Sequence, residues 1–373
     1  MRVTVHHRIP ADEKLRSQWN ELALNMEDPQ VFYTYEWARA AAQAFAATLR
    51  PLLITIYEGE VLIGLAALAT SSTNSRQAVF LGASTADYCD LISDVSNRTA
   101  VAAHVLSELR RMKITNLVAA NVPADSVTAQ IMSLTAAPHG FHCYQRTAYR
   151  CGRVLFGTNE TRSRLRQELH KKKSLQRTSQ FLSREGQLEI EHLSAWQDVQ
   201  SVLPTFLSTH IARFQLNGRK SPLEKSERRD FLKLLAEMLC MQGWFRLSVL
   251  RCDGKPIAWH YGFQFAGTWF WYLPTFDSGF AKYSPGLCLL SRVLKNALDS
   301  ADVHTFDLGL GDEIYKHRFA NAQRSTLEFK LSGSLGRHVR NISRDLAVRS
   351  VRAVPGLEGQ IRKGRDRMVS LFS

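Results

Sequence analysis

Nothing in this 373-residue chain is long and apolar enough to read as a membrane span. Its longest apolar stretches, such as VLIGLAALA at 61–69, reach about half of the roughly 20 residues a spanning helix needs. The opening MRVTVHHRIPADEK lacks the apolar core of a secretory signal, so a cytoplasmic location is expected. Cysteine is scarce and unpatterned: the six, at 89, 143, 151, 240, 252 and 288, include no Cys-x-x-Cys pair and no zinc-like spacing. A metal site, a redox dithiol and a disulfide scaffold are therefore set aside, and the cysteines read as reduced core residues. A composition of 45% apolar and 22% charged residues excludes a disordered chain, and the length suits two domains.

Acidic residues are the other shortage, with 34 Asp and Glu against 48 Lys and Arg, a net charge of +14. The excess is placed, not spread. Residues 161–184 hold eight Lys/Arg against one Glu, and residues 332–373 hold nine against three acidic residues, which leaves the rest of the chain near neutral. Clustered positive charge attracts polyanions such as lipid head groups or RNA, and equally makes a solvated helix face.

Along the chain, VTVHHRI reads as a strand, followed by helices at about 12–25 and 35–47. LLITIYEG and EVLIGLAALA then form a hairpin at Glu58-Gly59. Strand AVFLG, the segment STADYCDLI, helix 98–112, strand NLVAANV and helix 125–135 complete an α/β unit. The second half repeats the order: helix 161–185, strand LEIEHL, helices 195–208 and 224–242, a hairpin at Asp253-Gly254 and strand TWFWYLPTF. LLITIYEGEVLIGLAAL set against RLSVLRCDGKPIAWHYG exposes the repeat. The expected fold class is α/β (α+β): tandem units with mixed, mostly antiparallel sheets flanked by helices, split as 1–158, 159–331 and a basic helical tail, 332–373. In the tail, Leu335, Val339, Ile342 and Leu346 make one apolar stripe among arginines. Such a helix lies on an anionic membrane surface or packs its stripe on the domain.

The segment 280–319 concentrates candidate chemistry. Ser284 can cap a helix, Pro285 suits its first position, and Gly286 permits close approach of a ligand to a helix N-terminus that attracts anions. Asp307, Gly309, Gly311, Asp312, Glu313, Tyr315 and Lys316 follow within ten residues, and Asp307 is expected to brace the two glycines. In PIAWHYGFQF, alternation puts His260 on the smaller, more polar face, where a histidine has the ordinary pKa of a general base. Tyr272 is a second acid candidate. His210 and Arg213 share one helix face, and Asp87, Tyr88 and Asp90 can line a cleft from the other half.

GWFRLSVLRCDGKPIAWHYGFQFAGTWFWYLPTFDSGFAKYSPG followed by FDLGLGDEIYKHRFA resembles the CelD-like branch of the GNAT acyltransferases, itself related to the FemAB peptidyltransferases. The resemblance covers about residues 160–331 and extends over 15–95 through WNEL, FYTYEWARA and STADYCDL. It implies acyl transfer from acetyl-CoA or another acyl-CoA, used as a cosubstrate with no tightly bound cofactor, to a sugar, amino-sugar or amine in polysaccharide or envelope assembly. It places the donor on Lys282, Tyr283, Ser284, Gly286 and Leu287, the base at His260, and Lys316, after Tyr315, near the transferred carbonyl. The His210/Arg213 pair would face the acceptor. Where the GNAT loop has a Gln/Arg-x-x-Gly-x-Gly/Ala form, Lys282-Tyr-Ser-Pro-Gly286 supplies one glycine. An aminoacyl transferase using charged tRNA therefore stands as a rival, and a non-catalytic partner of a polysaccharide synthesis complex as a third reading. DNA is not an expected partner. A peripheral position at the inner face of the membrane is expected if the tail binds lipid.

Overall fold

Two hairpins with left-handed tips frame the molecule, and both fall where the acidic-Gly pairs stand: Gly59 has φ 59°, and Asp253 and Gly254 have φ 48° and 75°. The computed structural model describes residues 1–352. It begins with β1 (Arg2–His6), α1 (Glu13–Leu24), α2 (Tyr35–Ala44), β2 (Leu49–Glu58), β3 (Val61–Ser71) and β4 (Asn74–Phe80). Then come β5 (Ile92–Ser93), α3 (Arg98–Arg111), β6 (Asn116–Pro123), α4 (Val127–Ala136) and a long strand, β7 (His142–Leu155). The second half contains α5 (Asn159–Lys171), α6 (Lys173–Ser183), β8 (Leu188–Leu193), α7 (Trp196–Leu216), α8 (Ser226–Met241), β9 (Phe245–Cys252), β10 (Lys255–Phe265) and β11 (Thr268–Phe276). It closes with α9 (Pro285–Asp299), β12 (Thr305–Leu310), β13 (Ala322–Ser332) and α10 (Leu335–Arg352). Among these residues no helix is long and apolar enough to cross a membrane, and no cluster of His, Cys, Asp and Glu could hold a metal. All six cysteines are free.

Side-chain caps start the helices where the sequence offers them: Asp12 accepts from the Leu15 N–H at 3.1 Å, and Ser126 accepts from Ala129 at 3.2 Å. The expected helix 161–185 is two helices, interrupted at Lys172 (ψ 96°). Part of its positive charge has a local task. Arg162 and Arg166 both donate to the Leu298 carbonyl, and Arg162 also reaches Ser300 and Val303, so together they cap the end of α9. The Gly-rich bend is followed by a single helical turn, Lys316–Arg318.

The strands form one sheet in the order β1-β2-β3-β4-β6-β13-β7-β12-β11-β10-β9-β8, with β5 pairing to β3. Neighbours are antiparallel except at two places, β4 beside β6 and β11 beside β12, the corresponding step of each half. The halves interleave. β13, from the end of the chain, lies between β6 and β7, and β7 lies between β13 and β12. Helices cover both faces: in the second half Trp259, Tyr261 and Phe263 pack toward α7 and α8, while Trp269 and Trp271 pack toward α9.

Close packing of α3 on β3 depends on Gly64. A Cβ there would lie 2.2 Å from Val101 Cγ2, a fully buried side chain. Gly64→Ala is expected to cost about 1–3 kcal/mol in urea unfolding, and Gly64→Ala/Val101→Ala to recover part of that loss. Equal stability of Gly64→Ala and the parent would show that the helix can move away freely.

Candidate active site

β11 and β12 touch along only three register pairs, Thr268 with Thr305, Trp269 with Phe306, and Phe270 with Asp307. Beyond them β11 continues along β10 to Phe276, while β12 turns aside. The Gly309 N–H donates to Asp307 Oδ1 at 2.8 Å, and the register of β12 against β7 shifts between Asp307 and Leu310. Gly309 takes φ 72°, which favours glycine. As expected from the sequence, Asp307 braces Gly309; Gly311 instead donates its N–H to the Arg150 carbonyl.

The N-terminal half supplies what enters this separation. A Cβ on Gly309 would lie 2.8 Å from Asp87 Oδ2 and 3.3 Å from the Trp271 carbonyl oxygen, so Asp87 reaches the gap between the strands. The Leu310 N–H donates to Asp87, while burial, reinforced by Asp307 and opposed by Lys316, pushes its carboxyl up to about 7. The segment carrying Asp87 is held from both halves. Tyr272 donates its hydroxyl to the Thr85 carbonyl at 2.7 Å, Asn121 donates to the Ala86 carbonyl at 3.0 Å, and Tyr88 donates to Asp307 at 2.9 Å.

Lys316 lies beneath the same bend and is 5% exposed. Its ammonium donates to the Leu310 carbonyl at 2.6 Å and the Gly309 carbonyl at 3.3 Å, and pairs with Glu313 at 2.9 Å. Two of these partners are fixed backbone; Glu313 is a half-exposed side chain that can exchange. A desolvated ammonium near a carboxyl of raised pKa is an acid–base arrangement.

At the mouth, α7 ends in a cleft of about 320 Å³ lined by Arg213, Phe214, Asn217, Arg219 and Phe276. The Arg213 guanidinium lies 4.9 Å from the Phe276 ring centre and 5.6 Å from that of Phe214, and Arg219 lies 5.1 Å from Phe214. Burial lowers the Arg213 pKa, Tyr315 opposes the shift, and neither arginine has a carboxylate partner among the described residues. Tyr315 is itself pushed up to about 12 by burial, with Glu313 adding to the shift. Two guanidiniums in one cleft with no carboxylate beside them among the described residues fit an anionic group. Phe276 also joins the cleft to the start of α9, where a Cβ on Gly286 would meet its ring at 3.2 Å.

The α9 start is less open than its sequence implies. Ser284 makes no side-chain cap and takes φ 52°, while the Leu287 and Cys288 N–H groups turn back to its carbonyl at 3.0 and 3.2 Å. Lys282 lies over the Tyr283 ring at 4.6 Å, and the Tyr283 hydroxyl is held by Glu185.

Five expected site residues belong to the scaffold. His260 is fully buried under α9, stacked on Trp271 at 4.1 Å, accepts from the Tyr272 N–H at 3.2 Å, and is driven down to about 3 by burial, so it is no general base near neutrality. Tyr272 spends its hydroxyl on Thr85 and is driven strongly upward by burial. His210 stacks on Phe214 at 4.7 Å, meets Ser221 Oγ at 3.0 Å and is lowered to about 4 by burial; it pins the turn after α7 instead of facing an acceptor. Tyr88 and Asp90 are buried, the latter against Arg98 at 3.5 Å. Phe214, Asn217, Arg219 and Phe276 were not among the expected residues, although ARFQLNGR spells out cation, aromatic, amide and cation in order.

Residues 170–317 match the family model described as acetyltransferase (GNAT) domain, the stretch that holds α7, the β9–β12 strands and Lys316. The matched segment has a GNAT-type acyltransferase fold. Over the whole chain the fold is similar to that of FemX, with TM-score 0.60 and 10% identity over 92% of this chain and 99% of that one. It is also similar to L-PGS from Bacillus licheniformis (0.52, 11%, 93% and 98%) and to the C-terminal domain of a candidate lysylphosphatidylglycerol synthetase from Agrobacterium fabrum (0.53, 11%, 89% and 95%). No curated protein matches the sequence. Because these likenesses span both halves, the fold they share extends over the whole chain.

The raised Asp87 carboxyl has a cost that depends on pH. Its folded-state pKa of about 7 lies above the ordinary 3.8, so the protonated form favours folding below about pH 4 and that contribution is lost as pH rises through 7. Asp87→Asn removes the cost while keeping an acceptor for the Leu310 N–H. The variant is expected to gain about 2–4 kcal/mol on the parent between pH 4 and 8 in urea unfolding. A difference that does not change with pH would place the Asp87 proton elsewhere.

Proposed function

We propose that the chain transfers an acyl group to an amine or hydroxyl acceptor in the opening between β11 and β12. The observation that carries this reading is the convergence of Asp87, raised to about 7, and the buried Lys316 ammonium at the point where those strands part within a GNAT domain. The acceptor nitrogen or oxygen attacks the donor carbonyl carbon as Asp87 takes its proton. Lys316 stabilises the negative charge that develops on the carbonyl oxygen, and as the tetrahedral intermediate collapses the donor's sulfur or oxygen leaves with the proton returned by Asp87. The start of α9 receives the donor's anionic end, and the Arg213/Arg219 cleft takes a phosphate or carboxylate on the acceptor. A saccharide or amino-sugar, as the sequence resemblance implies, offers a suitable hydroxyl or amine, and a phosphate-linked sugar would occupy both subsites.

An aminoacyl ester donor is the second reading. It is favoured by the first turn of α9, where Pro285 has no N–H and Leu287 spends its own on the Ser284 carbonyl, which leaves few backbone donors for a pyrophosphate. Calorimetry with CoA separates the two. Micromolar binding that Gly286→Glu removes supports a thioester donor, and no binding by the folded parent directs attention to charged tRNA, whose affinity would fall steeply with salt.

Activity should rise as Asp87 loses its proton near pH 7. Asp87→Asn is expected to lower turnover by about 10²–10⁴-fold and to flatten the rise, and Lys316→Ala to lower it by about 10²–10³-fold while moving the rise to higher pH, because the Lys316 charge holds the Asp87 carboxyl down. Acceptor-dependent release of CoA followed against pH measures both. Near-full activity in both variants would move the chemistry away from this opening.

A further inference from the structure

We propose that the exposed flank of α10 is a docking surface for an anionic lipid bilayer, an inference independent of the reaction proposed above. An amphipathic helix on a protein's surface normally turns its apolar stripe inward. Here the arrangement is reversed. The side of α10 that meets β7 and β13 is polar: Asp345 accepts from the Tyr144 hydroxyl at 2.5 Å and lies 3.5 Å from Arg146, Asn341 donates to Ser332 at 3.1 Å, and His338 packs on His142 at 5.5 Å. The stripe faces outward instead, with Leu335 61% exposed, Val339 52% and Leu346 57%.

The charge beside that stripe selects the partner. At about 100° per residue, exposed Gly336, Ser343 and Ala347 lie between the stripe and Arg340 and Arg344. Both of these arginines are exposed and have no ion-pair partner among the described residues. The outward side thus runs from apolar side chains, across small residues that allow close approach, to two guanidiniums with no ion-pair partner among the described residues. The helix carries five Arg against one Asp, and that Asp is already engaged with Arg146. Insertion of a few apolar side chains beside arginines that reach lipid phosphates is how interfacial helices bind, whereas a protein partner of the same shape would need its own acidic rim to match the arginines.

The test uses the full chain and co-sedimentation with vesicles of phosphatidylcholine alone or mixed with phosphatidylglycerol. Binding is expected on the mixed vesicles only, weakening as salt is raised. Leu335→Asp/Val339→Asp, at exposed positions that leave the polar side of the helix intact, should weaken binding by about tenfold or more. Arg340→Gln/Arg344→Gln should also weaken it and lessen its salt dependence. The proposal is overturned if the parent ignores phosphatidylglycerol, if the aspartate variant binds as well as the parent, which would assign binding to the exposed lysines and arginines of α5 and α6, or if light scattering shows a dimer that the aspartate variant dissolves.

Discussion

The hydrogen bond from the Gly309 N–H to Asp307 holds β12 away from β11, and the candidate site exists because of that separation. If β12 ran straight, it would continue its parallel ladder past Phe270, and the Gly309 and Leu310 carbonyls would face a strand instead of the Lys316 ammonium. The same Asp307 takes the Tyr88 hydroxyl and lies 3.6 Å from Arg153, so one buried carboxylate shapes the strand and positions the segment next to Asp87. A buried carboxylate is tolerated when it is met by donors on several sides, as Gly309, Tyr88 and Arg153 meet this one.

The two halves use equivalent geometry to different ends. In β6 the matching irregularity is at Asn121, with φ 58°, next to the register shift against β13. Here the bend is filled from within its own half: Cys89 donates its N–H to the Asn121 carbonyl at 3.0 Å, and the Asn121 side chain holds Ala86. The segment that fills one opening therefore continues into the other and delivers Asp87 there. The N-terminal half thus contributes Asp87 to a candidate site whose other residues lie in the C-terminal half.

Local signals made much of this fold readable. The acidic-Gly turns, the alternating strands and the Pro285 helix start depend on neighbours in sequence, and the structure has them where the pattern put them. β7 was invisible because HCYQRTAYRCGRVL is mostly polar and half-exposed; its support comes from eleven register pairs with β13, far away in the chain. The same reason explains the site. Lys316 and Arg213 stand beside aromatic residues, Tyr315 and Phe214, that announce them, whereas alternation alone could not reveal that α9 seals the face of β10 bearing His260. Nor could it show that Asp87, more than 200 positions from Gly309, fills the gap beside it.

The interleaving of β7 and β13 has a consequence for synthesis of the chain. As the N-terminal half leaves the ribosome, β6 has β4 on one side and an open edge on the other until residues 322–332 emerge. An unpaired strand edge invites pairing with other chains, and closure by a strand some 200 residues distant is slow because the intervening loop must first be ordered. The nascent chain therefore carries an unpaired β6 edge until β13 emerges, the kind of exposed edge through which partly made chains associate.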